Sequence, residues 1–269
     1  MPDKAPVILV HGMWSTPEAL KDLKAAFEAQ GYPVHVPRLP YHLPKSQLRG
    51  EAGKKLAQAS IDDYVAAIGE CIQTLDEKPI LIGHSMGGLL AQLVAAKHEC
   101  ARLILISSAP PAGINAFKWS VLRTLGHNLF LFPLWRKTTN LLLKNIQYGI
   151  ANTQSAAIHQ EIVQMATLES GRATWQISMW FLFRKPPTRV HYENIKCPVL
   201  LIGGSEDKIT PLKLQQKLAK KYADKAVFKV IEGACHWTIG GSFFPEIQTT
   251  LFDWLNQHHA INAGPNIQQ

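Results

Sequence analysis

Ser85, Asp207 and His236 are the residues of this sequence that could together carry out nucleophilic catalysis. A serine hydroxyl is a poor nucleophile near neutral pH, so it needs a base that accepts its proton. The base in turn needs a carboxylate that orients it and stabilises the positive charge it acquires. Such a set attacks acyl carbons, and each of its members must be placed by a separate element of the fold.

Ser85 is the central residue of a Gly-x-Ser-x-Gly motif, between Gly83 and Gly87. A short apolar run precedes the motif and an apolar-periodic helix follows it, which predicts a strand, a tight turn and a helix. The turn would hold the serine in a strained conformation, with glycines where strand and helix approach too closely for a Cβ. The first NH groups of the helix, beginning at Met86, would lack intrahelical partners and face a developing negative charge.

Asp207 and His236 each follow a predicted strand later in the chain. In a parallel sheet, the loops at the carboxyl ends of the strands meet where ligands bind, so we expect both side chains near Ser85. Glu206, beside Asp207, is the alternative acid. The other histidines that come later, His258 and His259, follow the last predicted helix, where we expect them to be solvated.

Buried-type strands alternate with helices over residues 6–109 and 191–257, which predicts a mostly parallel sheet of about six strands with helices on both faces. With 269 residues and 46% hydrophobic content, the chain can bury a full core. Residues 38–55 read as an irregular loop. The last helix is predicted over residues 244–257, and the tail after His259 is expected to be disordered.

The alternation stops between residues 111 and 190, here called the inserted segment. It contains no convincing strand, and helices are predicted at about 114–126, 130–146, 154–168 and 171–184. We therefore expect a core formed by residues 1–110 and 191–269, with the helical inserted segment lying over one end of the sheet.

Four short sequences together resemble the α/β-hydrolase superfamily: His-Gly at His11, the motif at Ser85, Asp-x-Ile-Thr-Pro at Asp207, and Gly-Ala-Cys-His at His236. The order Ser, Asp, His is the order that this fold uses. The resemblance covers residues 6–109 and 191–257 and implies an α/β-hydrolase fold with residues 111–190 as a helical cap. Because the sequence begins close to the His-Gly strand, we expect the sheet to lack the family's usual first two strands.

The resemblance also implies a role for each site residue. Ser85 would be the nucleophile, Asp207 the charge-stabilising acid and His236 the general base. The backbone NH groups of Met13 and Met86 would form the oxyanion hole. Two further histidines, at positions 11 and 84, are expected to stabilise the turn and to support the site by packing, respectively.

We therefore expect a serine hydrolase acting on carboxylic esters, preferably those with a medium or long acyl chain such as a monoacylglycerol or lysophospholipid. Thioesterase, lactonase, amidase, C–C hydrolase and acyltransferase activities remain open, because the same triad serves them all. A ligand-binding receptor of this fold with little turnover is the alternative from another class. A dehalogenase is excluded by the serine at position 85, where those enzymes carry aspartate. No cofactor is implied, and no metal, since the sequence has neither HExxH nor a His/Asp cluster.

Aromatic residues suggest the character of the substrate pocket. Trp14 and Trp237 lie next to predicted site residues, and an aromatic lid would suit an apolar acyl chain. The inserted segment contributes Trp119, Trp135, Trp175, Trp180, Phe117, Phe130, Phe132, Phe181 and Phe183.

Most of the net charge of +8 lies near the inserted segment, where residues 110–190 hold nine Lys/Arg against Glu161 and Glu169, hence +7. Such a basic lid could contact an anionic membrane surface or attract an anionic acyl donor. Nucleic acid is not an expected partner, because the basic residues accompany no binding motif.

The four cysteines show no paired spacing, and no stretch is long enough to span a bilayer, so we expect a soluble cytoplasmic protein.

Overall fold

The chain folds around a parallel β-sheet in the computed structural model, which describes residues 4–115 and 119–262. The strands are β1 (Val7–Val10), β2 (Val34–His35), β3 (Ile80–His84), β4 (Arg102–Ile106), β5 (Thr138–Thr139), β6 (Glu169–Ser170), β7 (Val199–Gly204) and β8 (Ala226–Ile231). Six of them form one sheet in the order β2-β1-β3-β4-β7-β8, each parallel to its neighbours. The predicted fold class and strand number are confirmed.

Helices cover both faces of this sheet. The α-helices among the described residues are α1 (Lys21–Ala29), α2 (Gly50–Gln58), α3 (Ile61–Gln73), α4 (Met86–Ala95), α5 (Trp119–Leu129), α6 (Leu143–Asn145), α7 (Ala156–Met165), α8 (Gly171–Ser178), α9 (Leu212–Ala219) and α10 (Phe244–Asn262). Because the four central strands β1, β3, β4 and β7 are almost entirely buried, alternate residues along each of them pack against different helices. Ile8 and Leu81 belong to the core layer that contains residues of α3, α4 and α9, whereas Leu9 and Ile82 pack with α1 and α10.

Residues 38–55 differ from the predicted irregular loop, because they contain a short 3-10 turn (Lys45–Gln47) and the start of α2. The helix was hard to predict because it begins with Gly50, has Gly53 in its first turn, and buries only Leu56 and Ala57. It contacts α8, β5 and β6, so its stability comes from packing against the inserted segment.

The inserted segment also differs from the prediction, because it contains the two-residue strands β5 and β6, paired antiparallel with Thr139 opposite Glu169. Instead of one helix over 130–146, the chain has a 3-10 turn (Leu134–Arg136), β5, and α6 followed by a π-helical turn (Ile146–Ile150). Pro133 lies in this stretch, where its ring is incompatible with the interior of a helix.

Helix α10 extends beyond its predicted end at residue 257, to Asn262. The expectation for the tail falls largely on residues 263–269, which lie outside the described residues, as do the side chains of His258 and His259. Within the described part of the chain, no helix is both long and apolar enough to cross a bilayer.

Candidate active site

Ser85 occupies the sharp turn between β3 and α4, with backbone angles of φ 55° and ψ −120°. Such angles are strained for a residue with a side chain and persist only where surrounding structure enforces them. The two flanking glycines allow the close approach. A Cβ on Gly83 would lie 2.1 Å from the Gly87 oxygen, and one on Gly87 would lie 2.1 Å from the Val10 oxygen.

The side chains of Ser85, His236 and Asp207 form one continuous chain of hydrogen bonds. Nε2 of His236 lies 2.9 Å from Oγ of Ser85, and Nδ1 of His236 lies 2.8 Å from Oδ2 of Asp207. Ser85 follows β3, Asp207 follows β7 and His236 follows β8, so the parallel sheet brings all three to its carboxyl edge. This arrangement can activate a serine hydroxyl.

Asp207 is 4% exposed and is held by several donors. Its Oδ1 accepts from the NH groups of Ile209 (2.8 Å) and Thr210 (2.7 Å), and its Oδ2 accepts from the Thr210 hydroxyl (2.7 Å). Burial alone would raise the pKa of Asp207, but the facing His236 and these hydrogen bonds outweigh it and lower the pKa below its usual value. The ionised carboxylate keeps a proton on Nδ1 of His236 and leaves Nε2 free to accept one. The alternative acid, Glu206, has an exposed side chain.

His84 and His11 support the site as neutral histidines. His84 Nε2 faces the main-chain oxygen of His236 at 3.0 Å, so it donates and holds the histidine loop. His11 Nδ1 faces the Gly12 oxygen at 3.1 Å, and its Nε2 accepts from the Leu39 NH at 3.4 Å. Burial is the main cause that lowers the pKa of each ring to about 3.

Two backbone NH groups next to Ser85 lack a protein acceptor in the part of the chain that the structure describes. Met86 is the first residue of α4, and Met13 follows Gly12, on which a Cβ would lie 3.1 Å from the Ser85 Cβ. Among the described residues, neither NH group has an acceptor within hydrogen-bonding distance. Both are therefore available to an oxyanion formed on an acyl group bound to Ser85. The Met86 side chain itself packs into the core.

A cavity of about 150 Å³ opens onto Ser85 and His236. Within the described part of the chain, the residues around it include no Asp, Glu, Lys or Arg. The core contributes Met13, Trp14 and Trp237, and the inserted segment contributes Ile114, Val121, Leu122, Leu125, Leu129, Leu141, Ile150, Ile162, Met165, Ile177 and Trp180.

This lining is more aliphatic than expected. Of the aromatic residues of the inserted segment, Trp180 lines the cavity, Trp135 and Trp175 pack on each other at 5.2 Å, and several others are exposed. Phe117 lies outside the described residues. The lining of α5 could have been found from the spacing of its apolar residues at positions 121, 122, 125 and 129, which share one helix face.

A buried polar cluster, His42, Tyr64 and Glu169, lies behind this pocket and has no counterpart in the sequence analysis. Glu169 is one of two acidic residues in the basic stretch 110–190, and this is the sequence signal that could have indicated the cluster.

Among the residues that the structure describes, no group of three or more His, Cys, Asp or Glu side chains could hold a metal ion.

Known proteins resemble the chain in both sequence and structure. The chain is 26% identical to a thermostable monoacylglycerol lipase of Bacillus sp. (strain H-257), over 76% of this chain and 71% of that protein. It is 26% identical to the monoglyceride lipase of Homo sapiens, over 73% of this chain and 65% of that one. The crystal structure of the Paleococcus ferrophilus monoacylglycerol lipase superposes with a TM-score of 0.70 at 22% identity, covering 96% of each chain.

A family model matches most of the chain as well. It is the model described as "Alpha/beta hydrolase family", and it matches residues 7–240, from β1 through the loop that carries His236. The sheet order, the turn at Ser85 and the shared carboxyl-edge site agree with this match, and the chain belongs to the alpha/beta hydrolase family.

Proposed function

We propose that the chain is a serine hydrolase that cleaves carboxylic esters, with Ser85, His236 and Asp207 as its catalytic triad. The observation that carries the proposal is the hydrogen-bond chain from the Ser85 hydroxyl through His236 to the buried Asp207 carboxylate, with steps of 2.9 Å and 2.8 Å. Relatives named as lipases in bacteria and humans support the same reaction class.

Hydrolysis then proceeds through an acyl-enzyme. Ser85 Oγ attacks the ester carbonyl carbon while its proton passes to Nε2 of His236, and the NH groups of Met13 and Met86 stabilise the resulting oxyanion. His236 returns the proton to the leaving alcohol oxygen, and the acyl group remains on Ser85. Water, which loses a proton to His236, then attacks the acyl carbon. The bond to Ser85 Oγ breaks, His236 returns its proton to that oxygen, and the carboxylic acid is released.

We propose a medium or long apolar acyl chain as the preferred acyl group. The cavity has a largely aliphatic lining, and the polar side chains around it are already hydrogen-bonded within the protein. Asn128 donates to the Asn140 oxygen (2.8 Å), Thr174 to the Ser170 oxygen (2.8 Å) and Ser178 to the Thr174 oxygen (2.7 Å). A polar acyl group would find few free partners there, whereas an apolar chain loses no hydrogen bonds on entering.

Residues 111–190 are proposed to act as the cap of this site, over a core formed by residues 1–110 and 191–269. Two backbone hydrogen bonds support this arrangement of cap and core, because they join the inserted segment to the loops of the site. The Trp237 NH donates to the Ile150 oxygen (2.8 Å), and the Thr167 NH donates to the Trp14 oxygen (2.9 Å).

The cap is also proposed to contact anionic lipid surfaces. Trp119, Phe130 and Phe132 are 78%, 82% and 78% exposed, which is unusual for such large apolar side chains. Basic residues lie close in sequence to these aromatics, with Arg136 and Lys137 both exposed. Exposed aromatics beside cations suit the boundary between acyl chains and anionic headgroups.

Vesicle binding tests the lipid contact. The bound fraction should rise as phosphatidylglycerol replaces phosphatidylcholine, and it should fall with added salt. Phe130→Ser combined with Trp119→Ser should weaken binding to all vesicles, whereas Arg136→Gln with Lys137→Gln should remove the dependence on anionic lipid. Lys229→Gln, at an exposed lysine of the core strand β8, is the control. Binding that does not depend on anionic lipid would refute the contact.

Turnover of p-nitrophenyl esters from acetyl to palmitoyl tests the enzymatic proposal, with wild type beside Ser85→Ala. We expect an optimum at a medium or long chain, and a loss of at least about a thousandfold in the variant. Circular dichroism of both proteins checks that the fold is intact. Activity confined to acetate would refute the acyl preference, and turnover that does not need Ser85 would refute the triad. A folded protein inactive on every ester would favour the receptor interpretation.

A further inference from the structure

Glu169 is a carboxylate within the interior of the protein, with none of its surface exposed. The other acid of the cap, Glu161, instead forms a surface ion pair with Lys21. Burial of a carboxylate destabilises the folded state unless several donors form hydrogen bonds with it. Glu169 does not line the cavity, and therefore has no direct contact with a substrate there.

Both carboxylate oxygens of Glu169 are fully engaged. Oε1 accepts from the Tyr64 hydroxyl (2.8 Å) and from the Ser170 NH (2.6 Å), and Oε2 faces His42 Nε2 at 2.9 Å. Burial and then the charge of Glu169 raise the pKa of Tyr64 well above its usual value, so its hydroxyl stays a donor. Tyr64 belongs to α3 and His42 belongs to the loop after β2. Through these contacts, Glu169 joins the cap to two parts of the core.

His42 carries a proton on Nδ1, because this atom faces the Pro40 oxygen (3.2 Å), which can only accept. The contact between His42 Nε2 and Glu169 then needs a second proton, which lies between the two groups.

The same residues hold the loop that presents the Met13 NH. On one side, the His42 ring meets the His11 ring edge-on at 5.1 Å, and His11 precedes Gly12. On the other side, Thr139, the strand partner of Glu169, accepts from the Trp14 indole at 3.0 Å. Trp14 has a φ of 54°, a strained value that needs support from its surroundings.

We propose that Glu169 is a positioning residue, which fixes the loop Gly12–Trp14 and thereby aims the Met13 NH at the oxyanion. This inference rests on the proposed function, because it assumes that the oxyanion forms beside Ser85. It predicts that Glu169 affects the transition state more than the binding of substrate, since the acyl pocket does not contain it.

Three variants test this role. Glu169→Ala leaves His42 and Tyr64 without their acceptor, so kcat should fall about tenfold to a hundredfold while KM stays within about threefold. Glu169→Gln retains an acceptor for Tyr64 and Ser170 and can donate to a neutral His42, so it should keep kcat within about threefold. Glu161→Ala, at the partly exposed acid of the cap, is the matched control and should behave as wild type.

Hydrogen exchange of the Thr167 NH gives a readout that does not depend on activity, because this group donates to the Trp14 oxygen. We expect faster exchange in Glu169→Ala and wild-type exchange in the other two variants. Unchanged exchange together with unchanged kcat in Glu169→Ala would overturn the inference, as would a fall in stability with no selective loss of kcat. A wild-type protein without Ser85-dependent turnover would refute the proposed function instead, and the exchange comparison would still decide whether Glu169 orders the loop.

Discussion

His84 donates a hydrogen bond from Nε2 to the main-chain oxygen of His236, with 3.0 Å between the two atoms. The two rings also pack against each other, with centroids 5.1 Å apart. The residue just before Ser85 thus holds the loop of His236, so that one turn of the chain places two members of the candidate site. Thr238 adds a weaker contact to the same oxygen, from its hydroxyl at 3.3 Å.

Removing the His84 ring should therefore lower the reaction rate without removing the triad. We expect His84→Ala to reduce kcat about tenfold, which corresponds to about 1.4 kcal/mol of transition-state stabilisation. Thr238→Val should have a smaller effect, because its hydroxyl is the longer of the two contacts. Steady-state kinetics of both variants on one medium-chain ester make the comparison, and equal rates for His84→Ala and wild type would contradict it.

The fold should lose stability in acid at pH values well above those at which carboxyl groups usually titrate. The buried rings of His11 and His84 have pKa values lowered to about 3, against 6.5 in the unfolded chain, so the unfolded state binds more protons between these values. Each ring should then cost about 1.4 kcal/mol of stability for every pH unit below 6.5. Urea unfolding near neutral pH and in mild acid measures this slope, and His84→Gln should flatten it. A midpoint independent of pH in this range would be inconsistent with two buried neutral histidines.

Asp207 should be needed for the rate, and its neighbour Glu206 should not. Asp207→Asn removes the charge that holds the proton on Nδ1 of His236, and the loss of kcat should reach about ten thousandfold. Glu206→Gln changes an exposed carboxylate one residue away and serves as the control. Comparable losses in the two variants would show that the acid of the site had been assigned to the wrong residue.

The acyl chain preference should depend on the apolar face of α5. Leu125→Phe adds bulk to the cavity lining, so kcat/KM for long-chain esters should fall about tenfold relative to short-chain esters. Arg123→Lys changes an outward-facing residue of the same helix but keeps a cation that can lie over Tyr148. A parallel change for short and long chains in Leu125→Phe would place the acyl chain elsewhere.

The sheet and the residues at its carboxyl edge could be predicted from the sequence, because their signals are local. Each buried strand is a continuous apolar run, and the turn at Ser85 needs glycines at positions 83 and 87. The capping box at the start of α3 is equally local, with Ser60 and Asp63 exchanging hydrogen bonds. Strand order along the chain then placed Asp207 and His236 near the serine.

The strand pair β5–β6 and the buried cluster of His42, Tyr64 and Glu169 could not be predicted, because their contacts join distant parts of the chain. His42 and Glu169 are 127 residues apart. Strands β5 and β6 have two residues each, which is too short for an alternating pattern to be recognised. The sequence signal for the cluster was Glu169 itself, which is one of two acids in the basic stretch 110–190.

Covalent labelling would show whether Ser85 is the nucleophile. The protein would be treated with an alkyl fluorophosphonate, which loses fluoride when an activated serine attacks its phosphorus, and the modified peptide identified by mass spectrometry. We predict a single adduct on Ser85, formed with one equivalent of reagent and absent from the Ser85→Ala variant. An unlabelled wild-type protein, or an adduct on any other residue, would contradict the account.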